Sequence, residues 1–179
     1  VPALGGLAVY LALFGTLLLL GALHGSTWNG ALAQLRPWWA IATAATIICA
    51  AGILDDIVDL RAMTKILSQF AVAAVLYAGG IKIQRIELLG MTWDLGWGAF
   101  PFTVFWMLGS MNSLNLLDGM DGLAPGIGAI MAGCIAMVAL STGVGHAALA
   151  AAALSGALVG FLFYNFPPAQ IFLGNGGSL

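Results

Sequence analysis

The stretch LAPGIGAIMAGCIAMVALSTGVGHAALAAAALSGALVGFLFY (residues 123–164) contains no Asp, Glu, Lys or Arg. It is long enough for two membrane-spanning helices, each of which needs about 20 apolar residues. Residues 1–35 also lack formal charge, and the whole chain is 61% hydrophobic and 7% charged, with a mean hydropathy of +1.04. Soluble domains carry roughly 25% charged residues. The composition therefore predicts an integral membrane protein.

Glycine, proline, tryptophan and charged residues divide the apolar sequence into candidate spans. These cover approximately residues 6–23, 38–54, 64–80, 97–114, 123–141 and 146–164. Between the third and fourth spans, IKIQRIELLGMTWDLG (residues 81–96) begins with alternating apolar and polar residues and has Gly90 near its middle, which favours a hairpin. We expect an all-α polytopic membrane protein of about six transmembrane helices with a small β-hairpin outside the bilayer.

Because successive spans cross the membrane in opposite directions, alternate loops must share a face. Residues 1–5, 55–65, 112–121 and 165–179 then lie on one side, which we call the polar face. It holds five of the seven acidic residues in two clusters: Asp55, Asp56 and Asp59, then Asp118 and Asp121. Carboxylates beside a bilayer are costly and indicate a functional site by default. An ion-coupled transporter is a remote alternative, since it would place acids near mid-span and often show internal repeats.

The first cluster lies in GILDDIVDLRAMTK (residues 52–65). Asp55 and Asp59 share a helical face if the helix continues, while Asp56 points about 100° away. Two adjacent carboxylates repel, so one pKa rises toward the range of a general base, or a divalent cation keeps both ionised. Arg61 and Lys65 are suited to hold a phosphate nearby. The alternative is a solvated turn whose acids are balanced by these two cations.

The second cluster lies in NSLNLLDGMDGLAPG (residues 112–126), where a polar residue recurs every third position. We expect a helix end that unwinds into a glycine-rich loop and presents oxygens to a ligand; helix capping explains only one of the asparagines. The tail, YNFPPAQIFLGNGGSL (residues 164–179), ends in glycines that form either an anion-binding nest or an ordinary turn. The net charge of −2 gives no support for a nucleic-acid partner.

Three segments, GILDDIVDL with the following Lys65, NSLNLLDGMDGLA and FLFYNFPPAQIFLGNGGSL, resemble in order the cytoplasmic motifs of the polyprenyl-phosphate N-acetylhexosamine-1-phosphate transferase family (glycosyltransferase family 4). VPALGGLAVY resembles an earlier cytoplasmic stretch of that family. Leu117 and the YNFPPA sequence are more similar to the branch that uses UDP-N-acetylglucosamine than to the phospho-N-acetylmuramoyl-pentapeptide transferase branch, which remains the alternative.

The resemblance implies transfer of a sugar 1-phosphate, N-acetylglucosamine 1-phosphate in the favoured branch, from a UDP-sugar to undecaprenyl phosphate. UMP is released, and Mg²⁺, or Mn²⁺ in its place, is the implied cofactor. This chemistry starts cell-envelope polysaccharides, such as lipopolysaccharide or teichoic acid, at the cytoplasmic face of the bacterial inner membrane. By the resemblance of the polar-face loops to the family's cytoplasmic motifs, the small β-hairpin on the opposite face is extracytoplasmic. The implied partners are the UDP-sugar, the lipid acceptor and membrane lipids, and a homodimer is compatible with the resemblance.

By motif position, the resemblance assigns catalytic roles at the acceptor phosphate or metal to Asp55 and Asp56, one of them as candidate base. It places Asn115 and Asn175 at the metal and Lys65 at a phosphate. The nucleotide-sugar pocket would be lined by Asn112, Asp118, Gly119 and Asp121.

Two positions depart from the family pattern. Asn175 stands where the last motif usually has a metal-binding Asp, and Gln170 stands where a basic residue is frequent. An amide oxygen can bind a hard cation but adds no charge, so we expect weaker metal binding or a degenerate, non-catalytic member. We interpret residues 1–179 as a single transmembrane transferase domain from a longer chain, without the family's first span and its C-terminal spans with a His-rich loop.

Overall fold

The computed structural model describes residues 4–23 and 36–178. In chain order the helices and strands are α1 (Gly5–Leu23), α2 (Arg36–Val58), α3 (Ala62–Ala78), β1 (Arg85–Leu88), β2 (Met91–Asp94), a 3-10 turn (Gly96–Gly98), α4 (Ala99–Leu117), α5 (Leu123–Ser141), α6 (Gly145–Asn165) and the short α7 (Asn175–Ser178). Residues 1–3 and 179, which the parity argument assigns to the polar face, lie outside the described part of the chain.

Each of the predicted spans coincides with one of the helices α1 to α6. Four of these helices, α1, α2, α5 and α6, are long and apolar enough to cross a membrane. Helix α3 is shorter, at 17 residues, and α4 carries Asn112 and Asn115 in its last two turns. The described residues are therefore consistent with a polytopic membrane protein.

Two helix ends differ from the prediction. Helix α2 continues through Asp55 and Asp56 and ends at Val58, and Asp59 has a left-handed backbone with φ of 51°. Asp59 therefore does not share a helical face with Asp55; the chain must reverse here so that α3 can begin at Ala62. An aspartate tolerates this conformation because its short polar side chain bonds locally. Similarly, the second cluster begins inside α4, since Asn115 is still helical.

The predicted hairpin is confirmed. Strands β1 and β2 are antiparallel, with Arg85 opposite Asp94 and Leu88 opposite Met91. Leu89 and Gly90 form the two-residue turn, with φ of 52° and 78°. Positive φ at both central residues is the turn geometry that matches the right-handed twist of a hairpin.

Helices α5 and α6 pack closely because the side chains between them are small. Buried alanines at 124, 129, 132, 136 and 139 line one side of α5. Ser155 Oγ of α6 donates a hydrogen bond of 2.9 Å to the carbonyl of Ala129, and Leu158 lies against Gly128. Close backbone approach through small residues is the usual way in which membrane helices associate.

After α6 the chain returns across the polar face and pairs with the start of α1. The backbone N–H of Gly5 donates to the carbonyl of Phe172 at 3.1 Å, and that of Gly6 donates to Leu173 at 2.8 Å. Leu173 is buried at 3% exposure. The first residues of α1 thus hold the segment that leads into α7.

Helix α7 lies between α1 and α2, at a distance that only glycine allows. A Cβ on Gly6 would overlap the backbone of residues 176–177, and a Cβ on Gly52 would overlap that of residues 175–176. The backbone N–H of Gly177 and that of Ser178 donate to the carbonyl of Gly174. These amides are engaged within the protein, which favours the ordinary turn over the anion-binding nest, and the absence of a Cβ at Gly6 and Gly52 allows the close packing of α7.

Candidate active site

The last turn of α2 places Asp55 inside the protein, at 4% exposure. Its Oδ1 accepts a hydrogen bond of 2.9 Å from the backbone N–H of Leu60, and Lys65 Nζ, from the first turn of α3, lies 2.8 Å from its Oδ2. The reversal at Asp59 brings Lys65 back onto Asp55. The alternative of a solvated acidic turn is therefore wrong for Asp55, whose charge is buried and paired.

The contact between Lys65 and Asp55 is an ion pair without a well-directed hydrogen bond. Oδ2 of Asp55 is buried, and no described side chain or backbone group donates a hydrogen bond to it with good geometry. The 2.8 Å separation decides the energetics, because charge attraction depends on distance more than on angle. Oδ2 keeps a free lone pair, and the Lys65 side chain, 33% exposed, reaches the surface where a phosphate can contact it.

Asp56 points the other way from Asp55, as its position on the helix predicts, and is exposed. Its Oδ1 accepts a hydrogen bond of 3.1 Å from the backbone N–H of Asn175, which begins α7. The first and third motifs, 119 positions apart, meet at this bond. Asp56, near the end of α2, therefore contacts the first residue of α7.

The predicted metal ligands Asn115 and Asn175 are in direct contact. Asn115 Nδ2 donates to Asn175 Oδ1 and to Ser178 Oγ, each at 2.9 Å. Ser178 is buried at 3% exposure and donates in turn to the carbonyl of Gly174. The second motif is thus joined to the third by side-chain amide contacts.

Asp118 follows the last helical residue of α4 and is half-buried. Burial raises the pKa of its carboxyl group, the neighbouring Ser178 side chain lowers it, and the negative charge of Asp56 raises it further, to about 6. The two carboxylates are therefore close enough to repel each other. A carboxyl group that titrates near 6 can exchange a proton at neutral pH.

These four side chains, of Asp56, Asn115, Asp118 and Asn175, form what we call the carboxylate–amide cluster. All their possible ligand atoms for a hard cation are oxygens. Within residues 4–23 and 36–178 no group of three or more His, Cys, Asp or Glu side chains is arranged around a metal position. Mg²⁺ is commonly held by one or two carboxylates together with substrate phosphates and water, so this donor set fits it. The repulsion between Asp56 and Asp118 is what a cation would relieve.

Asp121 contacts the tail. Its Oδ2 accepts a hydrogen bond of 3.1 Å from the backbone N–H of Ala169, so one of its oxygens is used within the protein. Gly119 lies between the two aspartates, and a Cβ there would make only an ordinary van der Waals contact, 3.8 Å from the carbonyl oxygen of Leu116. Its role in the nucleotide-sugar pocket stays a prediction.

Asn165, which the motif analysis did not single out, ties the second motif to the tail. It is buried at 3% exposure; its Oδ1 accepts from Gly122 N–H at 2.9 Å, and its Nδ2 donates to Ile171 O at 2.8 Å. Gly122 has φ of 75°, which favours glycine. The sequence signal was an amide at the end of an apolar span, where burial requires hydrogen-bond partners.

Gln69 was also missed. It is 1% exposed in α3, and its Oε1 accepts a hydrogen bond of 2.8 Å from Asn112 Nδ2 of α4. Gln69 Nε2 lies 3.4 Å from Asn112 Oδ1 in return. Asn112 is thereby held on α4, one turn before Asn115. An amide inside an apolar span was again the available signal.

Comparisons with known proteins identify relatives over almost the whole chain. The model of glycosyl transferase family 4 matches residues 38–179. Over 99% of this chain, a protein of Bacillus subtilis strain 168 named "Probable undecaprenyl-phosphate N-acetylglucosaminyl 1-phosphate transferase" is 39% identical, and 48% of that relative is covered.

Relatives from the other branch also match. A phospho-N-acetylmuramoyl-pentapeptide-transferase of Shouchella clausii is 34% identical over 99% of this chain and 57% of its own length. One from Desulforamulus reducens is 41% identical over 72% of this chain and 43% of its own length. The chain spans about half the length of the curated relatives it matches. By the extent of the family match and the order of its motifs, the chain belongs to glycosyl transferase family 4.

Proposed function

We propose that this chain contributes the catalytic centre of a transferase that moves a sugar 1-phosphate from a UDP-sugar to undecaprenyl phosphate and releases UMP. The observation that carries the proposal is the carboxylate–amide cluster, in which all three motifs meet. Asp56 of the first motif bonds Asn175 of the third, and Asn115 of the second bonds the same residue. Family membership supports the reaction class.

In this reaction an oxygen of the lipid phosphate attacks the phosphorus that carries the sugar. A new P–O bond forms the lipid-linked diphosphate, and the bond to the UMP phosphate breaks, so UMP leaves with the electron pair. A phosphate monoester has a second pKa of about 6, so little of the acceptor needs deprotonation at neutral pH. One of the two catalytic candidates, Asp55 or Asp56, would take the remaining proton.

The other residues position the helix ends of the site and neutralise substrate charge. The buried pair of Asp55 and Lys65 fixes the end of α2, and the exposed part of Lys65 provides a cation for a substrate phosphate. Asp56 and Asn115 hold the first residue of α7 between them. Asp55 and Asp56 remain our candidates for direct catalysis, and Asn112, Asp118, Gly119 and Asp121 for the nucleotide-sugar pocket.

The cofactor we propose is Mg²⁺, with Mn²⁺ as a substitute. The residues that would hold it are Asp56, Asp118, Asn115 and Asn175. When bound, the cation neutralises the diphosphate of the donor and stabilises charge that develops on the leaving group.

As donor we propose UDP-N-acetylglucosamine. The name of the Bacillus subtilis relative, which matches 99% of this chain, and the Leu117 and YNFPPA features of the sequence support this choice. The relatives named phospho-N-acetylmuramoyl-pentapeptide-transferase support UDP-N-acetylmuramoyl-pentapeptide as the alternative donor. A soluble nucleotide sugar and a membrane lipid meet at a bilayer surface, so we propose that the polar face is the cytoplasmic face of the bacterial inner membrane.

The decisive experiment measures transfer in detergent micelles. The full chain is incubated with undecaprenyl phosphate, Mg²⁺ and UDP-N-acetylglucosamine labelled in the sugar, and lipid-extractable label and UMP are both quantified. We expect equal amounts of the two products. A parallel reaction with UDP-N-acetylmuramoyl-pentapeptide distinguishes the branches: label transfer from that donor alone would overturn the donor choice.

The matched controls are charge-neutralising variants. Asp56→Asn should abolish transfer, whereas Asp94→Asn, which removes the same charge from the exposed hairpin, should leave it unchanged. Transfer at the unmodified rate by Asp56→Asn would contradict the proposed site. Product from Asn175→Asp but not from the natural chain would favour a degenerate member of the family.

A further inference from the structure

Gln69, which lies outside the family motifs, forms a paired-amide contact between α3 and α4 with Asn112 of the second motif. Gln69 is 1% exposed, and the pair has one bond of 2.8 Å and one longer contact of 3.4 Å. The position of Gln69, seven residues into α3, is about 10 Å along the helix from its first residue. A buried amide there needs partners, and Asn112 supplies them.

The pairing determines what Asn112 can offer a ligand. Both hydrogens of its Nδ2 are used, one by Gln69 Oε1 and one by the carbonyl of Leu108, each at 2.8 Å. The Leu108 carbonyl can only accept, so it fixes which end of the amide faces the helix. Asn112 Oδ1 has only the long contact to Gln69, and Asn112 is exposed. Asn112 therefore presents an acceptor and no free donor.

Gln69 also lies on α3 between the Lys65 end of that helix and the contact with α4. Lys65 is one turn earlier on the same helical face, and Asn115 is one turn after Asn112 on α4. The paired amides thus link the two helices that carry the phosphate cation and the carboxylate–amide cluster. A slip between α3 and α4 would move Lys65 relative to Asn115.

We propose that Gln69 is a positioning residue that holds Asn112 with its carbonyl oxygen free to accept a hydrogen bond from an N–H or O–H group of the UDP-sugar. This inference rests on the proposed function. It predicts that Gln69 affects donor binding and leaves binding of the lipid acceptor unchanged, because the proposed ligand of Asn112 is the donor and not the acceptor. A merely structural contact between helices would lower the folded fraction without separating the two substrates.

The experiment measures KM for each substrate and kcat, together with the apparent melting temperature, in the full chain. Gln69→Leu should raise the KM for the UDP-sugar roughly tenfold, the loss expected when one hydrogen bond to the ligand is misplaced. The KM for undecaprenyl phosphate should stay within twofold, about the effect of a neutral surface change. Gln84→Leu, an amide removed from an exposed segment before β1, is the matched control and should change neither KM.

A double variant in which Gln69 and Asn112 exchange their side chains provides the second test. Gln69→Asn combined with Asn112→Gln keeps the summed length of the two amides, so it should bring the donor KM back to within roughly threefold of the natural value, while each single change should not. Binding of UDP-N-acetylglucosamine by isothermal titration, without the lipid acceptor and so without turnover, gives an independent readout. If the natural chain does not bind this UDP-sugar, the proposed function fails; if it binds the UDP-sugar and Gln69→Leu binds it equally well, this inference fails.

Discussion

Asn115 and Asn175, 60 positions apart in the chain, are joined by a hydrogen bond of 2.9 Å from Nδ2 to Oδ1. The second of these residues also donates its backbone N–H to Asp56. Asn175 is therefore the point where the ends of α2 and α4 are connected through α7. A neutral amide at this point leaves Asp56 and Asp118 as the two carboxylates of the cluster.

The first prediction concerns the charge of residue 175. Asn175→Asp keeps the bond from Asn115 but adds a carboxylate beside Asp56 and Asp118, so repulsion should lower the apparent melting temperature without metal. Because cation affinity rises with the number of charged ligands, Mg²⁺ should bind roughly tenfold more tightly. Isothermal titration with Mg²⁺ and melting curves with and without it provide the measurement.

Gln84→Glu adds the same charge in an exposed segment and is the control for this variant. It should alter neither Mg²⁺ affinity nor the metal-free melting temperature. Equal Mg²⁺ affinity in the natural chain and Asn175→Asp would show that residue 175 does not contact the cation.

The second prediction concerns pH. Burial, opposed by Ser178 and assisted by the Asp56 charge, raises the pKa of Asp118 from 3.8 to about 6. The folded state then binds more protons than the unfolded state between these values, so the contribution of Asp118 to stability is lost as pH rises through about 6. Without metal, Asp118→Asn should therefore melt at a higher temperature than the natural chain at pH 7.5.

The difference in melting temperature between the natural chain and Asp118→Asn should shrink as the pH falls toward 4. Melting curves across this range in a chelating buffer give the comparison, and the difference between the two proteins cancels the titration of other carboxylates. A difference that does not vary with pH would mean that Asp118 ionises normally. Added Mg²⁺ should reverse the order, since a cation favours the charged carboxylate.

The local sequence pattern predicted most of the structural features that depend on neighbouring residues. The helices coincide with the apolar spans, and the two-residue turn at Leu89 and Gly90 lies where the alternating segment has its glycine. The glycines at 119 and 122 also predicted that the helix before them ends in this segment, and α4 ends at Leu117. Each of these features depends on residues within a few positions of one another.

The local pattern could not predict the contacts that assemble the site, because the residues in each contact are distant from each other in the sequence. Gln69 and Asn165 are single amides in apolar runs, and the chain around them does not show that Asn112 and Gly122 would satisfy them. The packing of α7 similarly depends on Gly6 and Gly52 from two other helices. Apolar periodicity identifies a helix, but it does not specify which glycine faces which backbone.

The third prediction uses two glycines of α1. Gly6→Ala should displace α7, because the new Cβ would overlap the backbone of residues 176–177, and we expect a loss of about 1–3 kcal/mol in unfolding free energy. Gly15→Ala on the same helix meets open space, so it should be neutral or stabilise by up to about 1 kcal/mol.

Transfer activity tests whether the displacement of α7 reaches the site. Gly6→Ala should reduce activity even where the protein remains folded, since Asn175 would leave Asp56 and Asn115. Gly15→Ala should retain activity. Equal melting temperatures and equal activities in the two variants would mean that α7 is not held by the start of α1.

The fourth prediction compares the two ion pairs of the described structure. Lys65→Met leaves the carboxylate of Asp55 buried without its cation, and we expect a loss of about 2–3 kcal/mol, less than for a fully buried pair because Lys65 is one-third exposed. Arg85→Met breaks the ion pair between Arg85 and Asp94, in which the two side chains are 69% and 71% exposed. This change should lower the free energy of unfolding by less than about 1 kcal/mol.

A double variant separates stability from function at the same pair. Lys65→Met combined with Asp55→Leu removes both charges, so the unpaired buried carboxylate is gone and the melting temperature should recover most of the loss. Transfer should remain absent, because the site would lack both the Asp55 carboxylate and the cation for a substrate phosphate. Recovery of transfer together with stability would show that the Asp55–Lys65 pair serves the fold alone, and the catalytic assignment of Asp55 would have to be withdrawn.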